Sequence, residues 1–109
     1  MMTAEGHAIR DEILGQINEE RFLQDTRWGG QNLNIKNPGW YAYHELAEEA
    51  KMICDATFQE GTISWHEILL EEVAEVFAED DPEKQAEGLI QVAAVCVSMI
   101  ECLKRNGKI

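Results

Sequence analysis

Apolar residues recur along this chain at intervals of three and four, and no stretch sustains the alternation of a half-buried strand. Ile9, Ile13, Ile17 and Phe22, with polar residues between them, predict a first helix over about Thr3 to Asp25. The segment WGGQNLNIKNPGW, Trp28 to Pro38 and beyond, is rich in Gly and Asn and reads as a loop. A second helix follows from about Tyr41 to Glu60 and stops at Gly61, a residue that commonly terminates helices. Thr62 or Ser64 then offers an N-cap, with Glu67 three residues after Ser64 at the spacing of a capping box, and a third helix runs from there to about Glu79. Asp81 is a good N-cap, and Pro82 suits the first position of a fourth helix, which extends to about Arg105 with Gly107 just past its end. The expectation is an all-α, four-helix, bundle-like subunit in which residues 1–109 form a single domain.

The fourth helix adds a prediction about assembly. Leu89, Val92, Cys96, Met99, Ile100 and Leu103 make one apolar stripe, while Ile90, Ala94, Val95 and Val97 fill most of the other faces. A helix apolar all round is a buried helix, and four helices of this length leave part of it uncovered. A dimer or higher homo-oligomer follows as the expectation.

Charge narrows the function classes. The chain has 21 acidic and 9 basic residues, a net charge of −12, which disfavours nucleic-acid phosphate and anionic membranes as partners. Cys54, Cys96 and Cys102 form no CxxC pair, so neither a disulfide framework nor a thiolate zinc site is expected. The N-terminus lacks the apolar core of a signal peptide, and the longest weakly polar run, Gly88 to Ile100, is short for a bilayer span. A soluble, cytoplasmic protein is expected.

The acids are also concentrated. Between Glu67 and Glu87 lie nine acids and only Lys84. At about 100° per residue, Glu72, Glu75 and Glu79 fall within roughly 60° of one another, beside the apolar stripe of Leu69, Val73 and Val76. Like charges at this spacing destabilise a helix unless something neutralises them. A hard divalent cation is one such neutraliser; a solvated acidic face or pairing with Arg from another helix are the others.

The run ILLEEVAEVFAED, followed after a short turn by EGLIQVAAVCVSMIECL, resembles the MazG-like, all-α nucleoside triphosphate pyrophosphohydrolase superfamily. The segment ERFLQDTRWGGQN is similar to the Q…WG.Q signature of its short phage and bacterial members. The resemblance implies an EExxE motif on one helix and an ExxD motif on the next, together binding the Mg²⁺ that holds a triphosphate. It places the first motif on Glu71, Glu72 and Glu75, with Glu72 and Glu75 as the catalytic, metal-facing pair for Mg²⁺ or Mn²⁺; Glu79, on the same helix edge, is a candidate for a remaining ligand. In the ExxD register the chain has Gly88 and Gln91 instead of Glu and Asp. Glu87 is rotated by about 100° from the Gly88 position and is not expected to substitute, so Glu45, Glu48 or Glu49 are alternative ligands. Restoring the pattern with Gly88→Glu and Gln91→Asp is expected to be tolerated and to raise the rate.

Gln24, Trp28, Gln31 and Gln91 are the nucleotide-binding candidates: an aromatic ring for stacking on a base and amides for reading its edge. Trp28 as a lid over the core and Gln91 as a buried, bonded core amide are the plain alternatives. Arg21, Arg27, Lys51 and Lys84 are the candidate phosphate contacts, Trp40, Tyr41 and Trp65 packing residues, and His44 and His66 surface or hydrogen-bonded residues rather than catalytic ones. The leading functional expectation is a metal-dependent nucleotide pyrophosphohydrolase. A binding protein that sequesters a nucleotide on the same scaffold, and an acidic interaction protein, stand beside it.

Overall fold

The computed structural model of the chain describes residues 4–30, 32–33 and 40–109. It is all-helical, with α1 at Ala4–Trp28, α2 at Trp40–Glu60, α3 at Trp65–Ala78 and α4 at Pro82–Arg105. No strand occurs among the described residues. The helix ends follow local chemistry. Gly61, just after α2, has φ 74°, the left-handed conformation that glycine adopts without strain. Ser64 caps α3: its hydroxyl accepts from the His66 amide at 3.3 Å, and the Glu67 carboxylate accepts from the Ser64 amide at 3.1 Å and from the Ser64 hydroxyl. These bonds, the Ser64 hydroxyl first, hold the Glu67 carboxyl below its usual range. Ser64→Ala is expected to cost about 1 kcal/mol and to lower the melting temperature by about 5 °C, measurable by circular dichroism. Asp81 accepts from the Glu83 amide at 3.3 Å, as an N-cap before Pro82 does.

The chain divides into two compact units, Met1–Asn34 with Val97–Ile109, and Ile35–Cys96. In the first, Ile13 is 1% exposed and forms the centre with Val97. Ile17 and Phe22, which share the Ile13 spacing, are exposed instead. Arg10 donates to both carboxylate oxygens of Glu101, at 3.1 and 3.2 Å, and Lys104 lies 3.8 Å from Glu12. α1 continues through Trp28 rather than stopping at Asp25, with Arg27 in its last turn. Trp28 therefore ends a helix and is exposed, so it is no lid over a core. Gln31 and Pro38 lie outside the described residues.

In the second unit α2 and α3 pack together, burying Ala50 and Cys54 of α2 and Ala74 and Val76 of α3. The rings of Tyr43 and Phe77 meet at 5.2 Å with a 54° tilt, an arrangement that aromatic pairs favour. Tyr41, expected to pack, is 79% exposed. On α4, Leu89, Ile90 and Leu103 are exposed, Val92, Cys96, Met99 and Ile100 half-buried and Val97 buried. By length and composition α4 is also apolar enough to cross a bilayer, which the sequence expectation had excluded by counting only its uninterrupted run.

Candidate functional site

The acidic edge of α3 and the first turns of α4 line one polar cleft of about 220 Å³ in the second unit. α3 contributes Glu72, Glu75 and Glu79, which the helical repeat had placed on one edge; α4 contributes Lys84, Glu87, Gly88 and Gln91. Glu45, Glu48 and Glu49, the alternative ligands on α2, are not in its wall. Gln91 is exposed and lines the cleft, so it is not the buried core amide considered above.

The buried amide is Gln85. It is 9% exposed, and its Nε2 donates to the backbone oxygen of Glu79 at 2.7 Å. That bond fixes the start of α4 against the end of α3. Glu79 is tied in further: its own amide donates to the Val76 oxygen at 3.2 Å, and its Oε1 accepts from the Asp81 amide at 3.1 Å. The turn and one wall of the cleft are therefore a single hydrogen-bonded piece.

Gly88 closes the other contact between the helices. A Cβ at this position would fall 2.7 Å from Cγ2 of Val76, itself buried at 8% exposure. Real Cβ atoms do not approach so closely, and a β-branched side chain in a packed site has little freedom to retreat. The expectation that Gly88→Glu is structurally tolerated is thus reversed. Glutamate would have to push α4 away from α3, whereas glycine lets the two backbones approach.

Glu87 was set aside as one residue out of register, yet it lines the cleft. The signal was present in the sequence. Glu87 and Gln91 are four residues apart and fall within about 40° on a helix, so an edge that presents Gln91 presents Glu87 as well.

Electrostatics sets Glu75 apart. Partial burial raises its carboxyl above the ordinary range, and the charges of Glu72 and Glu71, with a hydrogen bond to Glu71, act in the same direction; Lys51 of α2 opposes them. Glu72 has one oxygen, Oε2, that is buried with no hydrogen-bond partner. A buried carboxylate oxygen without a donor is costly, and a cation or a protonated group is what satisfies it. Behind this edge the Cys54 thiol, hydrogen-bonded to Glu71 and buried, is pushed up to about 11, with Glu71, Asp55 and Glu67 adding their charges. It is therefore a neutral thiol at physiological pH and not a nucleophile.

Among the described residues no group of three or more His, Cys, Asp or Glu side chains forms a ready-made metal cage. The carboxylates form a wall instead. Such a wall fits a cation that keeps several waters and takes its remaining ligands from phosphate, which is the habit of Mg²⁺. Lys84 stands in the same wall, and among the described residues no ion pair joins it to these carboxylates. Arg21, by contrast, is occupied: it donates to Gln24 and to Asp25, both at 2.8 Å. Gln24 and Trp28 belong to the first unit and Gln91 to the second. Compared with protein families, curated proteins and solved structures, the chain matches none.

Proposed function

We propose that the chain is a metal-dependent nucleotide pyrophosphohydrolase whose α3–α4 cleft takes the phosphate end of a nucleoside triphosphate. One observation carries the reading. Three carboxylates of α3, one of them with a buried and unpartnered oxygen, share a cavity with a carboxylate, an amide and an ammonium of α4. At about 220 Å³ the cavity is smaller than the roughly 300–1,000 Å³ of pockets that enclose whole ligands, which suits phosphates better than a complete nucleotide. Mg²⁺ or Mn²⁺ held by Glu72, Glu75 and Glu79, with Glu87 across the cleft, would neutralise charge on the phosphate oxygens. Lys84 binds a phosphate oxygen as a point charge, and the Gln91 amide donates to another. Glu72 or Glu75 would orient the attacking water and accept its proton, while the water oxygen bonds to the α-phosphorus as the bond to the bridging oxygen breaks and pyrophosphate leaves.

A second reading is favoured by Gly88 and Gln91, which leave α4 with Glu87 as its one carboxylate in the cleft wall. On that reading the chain binds a nucleotide without turning it over. Pyrophosphate release from a panel of canonical and modified nucleoside triphosphates, with Mg²⁺ or Mn²⁺, separates the two. Hydrolysis predicts turnover of at least one member of the panel, and a loss of about 100-fold or more in Glu75→Gln with its helical signal unchanged. Micromolar binding that leaves the nucleotide intact for hours supports sequestration. Neither turnover nor binding overturns both.

A further inference from the structure

Among the described residues Gln85 is the one polar side chain that is buried, and the chemistry above gives it no part. It does not line the cleft, whereas Glu79, to which it is bonded, does. A buried amide is costly unless it is hydrogen-bonded, so a glutamine where a leucine would fill the core points to a task for its donor.

The task follows from where Glu79 sits. Glu72 and Glu75 are held by the helical repeat of α3, but α3 ends at Ala78, and Glu79 has left the helix with φ −82° and ψ 133°. Its carbonyl oxygen is one of those that a helix end leaves without an intrahelical partner. Gln85 Nε2 donates to that oxygen at 2.7 Å. Two more bonds close a ring. The Gln85 amide donates to the Asp81 oxygen at 2.9 Å, and the Asp81 amide donates to Glu79 Oε1 at 3.1 Å. Each of the three residues takes part in two of these bonds. The Glu79 amide donates in turn to the Val76 oxygen at 3.2 Å, so the peptide groups on both sides of the Glu79 Cα are tied down. Those two groups set φ and ψ, and with them the direction in which the carboxylate leaves the chain.

Resting on the metal-dependent reading above, we propose that Gln85 is a positioning residue for the cation. Through the backbone oxygen it holds Glu79 where the carboxylate can share a cation with Glu72 and Glu75. Without the amide donor, a residue already past the helix end is free to turn. The cleft then keeps the two carboxylates that the helix holds and loses the aim of the third. Groups that orient metal ligands in this way typically matter roughly 10–100-fold in metal affinity.

Mn²⁺ alone is the probe, titrated into the full chain while the free ion is followed by its electron paramagnetic resonance signal. Gln85→Met keeps the length and bulk of the side chain and removes the donor; it should weaken Mn²⁺ binding by about 10-fold or more. Gln85→Asn withdraws the amide by one methylene and should weaken binding as well, and it serves if the methionine variant does not fold. Ser64→Ala removes a cap at the other end of α3, so it lowers stability without touching the ring and should leave the affinity unchanged. In a Glu79→Gln background, Gln85→Met should weaken Mn²⁺ no further, because its effect runs through Glu79. Three results would each overturn the proposal while the cleft still binds metal: wild-type affinity in both Gln85 variants, equal weakening by Ser64→Ala, or an undiminished further loss in the Glu79→Gln background. A wild type that binds no Mn²⁺ would overturn the functional reading and this proposal together.

Discussion

Gly88→Glu should lower the melting temperature by about 5–15 °C, because the new Cβ must displace Val76 or separate α3 from α4. The expected overpacking cost is about 1–3 kcal/mol, and the better helix propensity of glutamate returns less than about 1 kcal/mol of it. The added carboxylate also enters a cleft that already holds four. Adding Gln91→Asp should deepen the loss rather than repair it. Val76→Ala provides the control. With Cγ2 removed, the nearest Val76 atom to the new Cβ is Val76 Cβ at 3.8 Å, an ordinary contact. The double variant should therefore lose less stability than the sum of the two single changes. A Gly88→Glu protein that melts with the wild type would show that the two helices are not in close contact at this point.

The second large effect concerns the carboxylates themselves. Mg²⁺ or Mn²⁺ at about 100 times its dissociation constant should stabilise the wild type by about 2.7 kcal/mol, and Glu72→Gln with Glu75→Gln should abolish that increment. The same variants test the electrostatics without metal. The Glu75 carboxyl is raised in the folded chain by burial and by the charges of Glu72 and Glu71. The folded state then holds its proton more tightly than the unfolded chain does. Its stabilising contribution is fully present below the ordinary carboxyl range and is lost as pH rises through the raised folded value. Wild type minus Glu75→Gln, followed by thermal melts from pH 4 to 8 without divalent cations, should therefore show wild type losing ground as pH rises. A flat difference would count against the raised carboxyl, and an unchanged metal response in the double variant would move the cation elsewhere.

Much of the fold was legible because helix ends are written in local chemistry. Ser64 and Glu67, Asp81 and Pro82, and Gly61 each act through neighbours within a few residues, so their spacing alone placed three of the boundaries. The end of α1 was not legible. Nothing in TRW is a strong stop, and the helix continues to Trp28 with Gly29 following at φ 70°. The α3 edge of the cleft was readable from one helical period, but the α4 edge was not. The spacing of Gly88 and Gln91 identified missing carboxylates without revealing that Gly88 is held by Val76, or that Glu87 reaches the same wall. Gln85 was missed for the same reason. Its partner is a backbone oxygen six residues away across a turn, and only the packing of the two helices selects that oxygen among all those available.

Glu79 occupies two positions at once, in the cleft wall and in the turn between α3 and α4. The oxygen it offers the Asp81 amide is one that a cation would also seek. Were a cation bound through Glu79, its binding and the Glu79–Asp81 hydrogen bond would be linked equilibria, and by reciprocity each would bias the other to the same extent. The Asp81 amide proton becomes a reporter of what lies in the cleft. Its rate of exchange with solvent measures how often the turn opens, and a ligand that draws on Glu79 changes that rate from a distance of two residues along the chain.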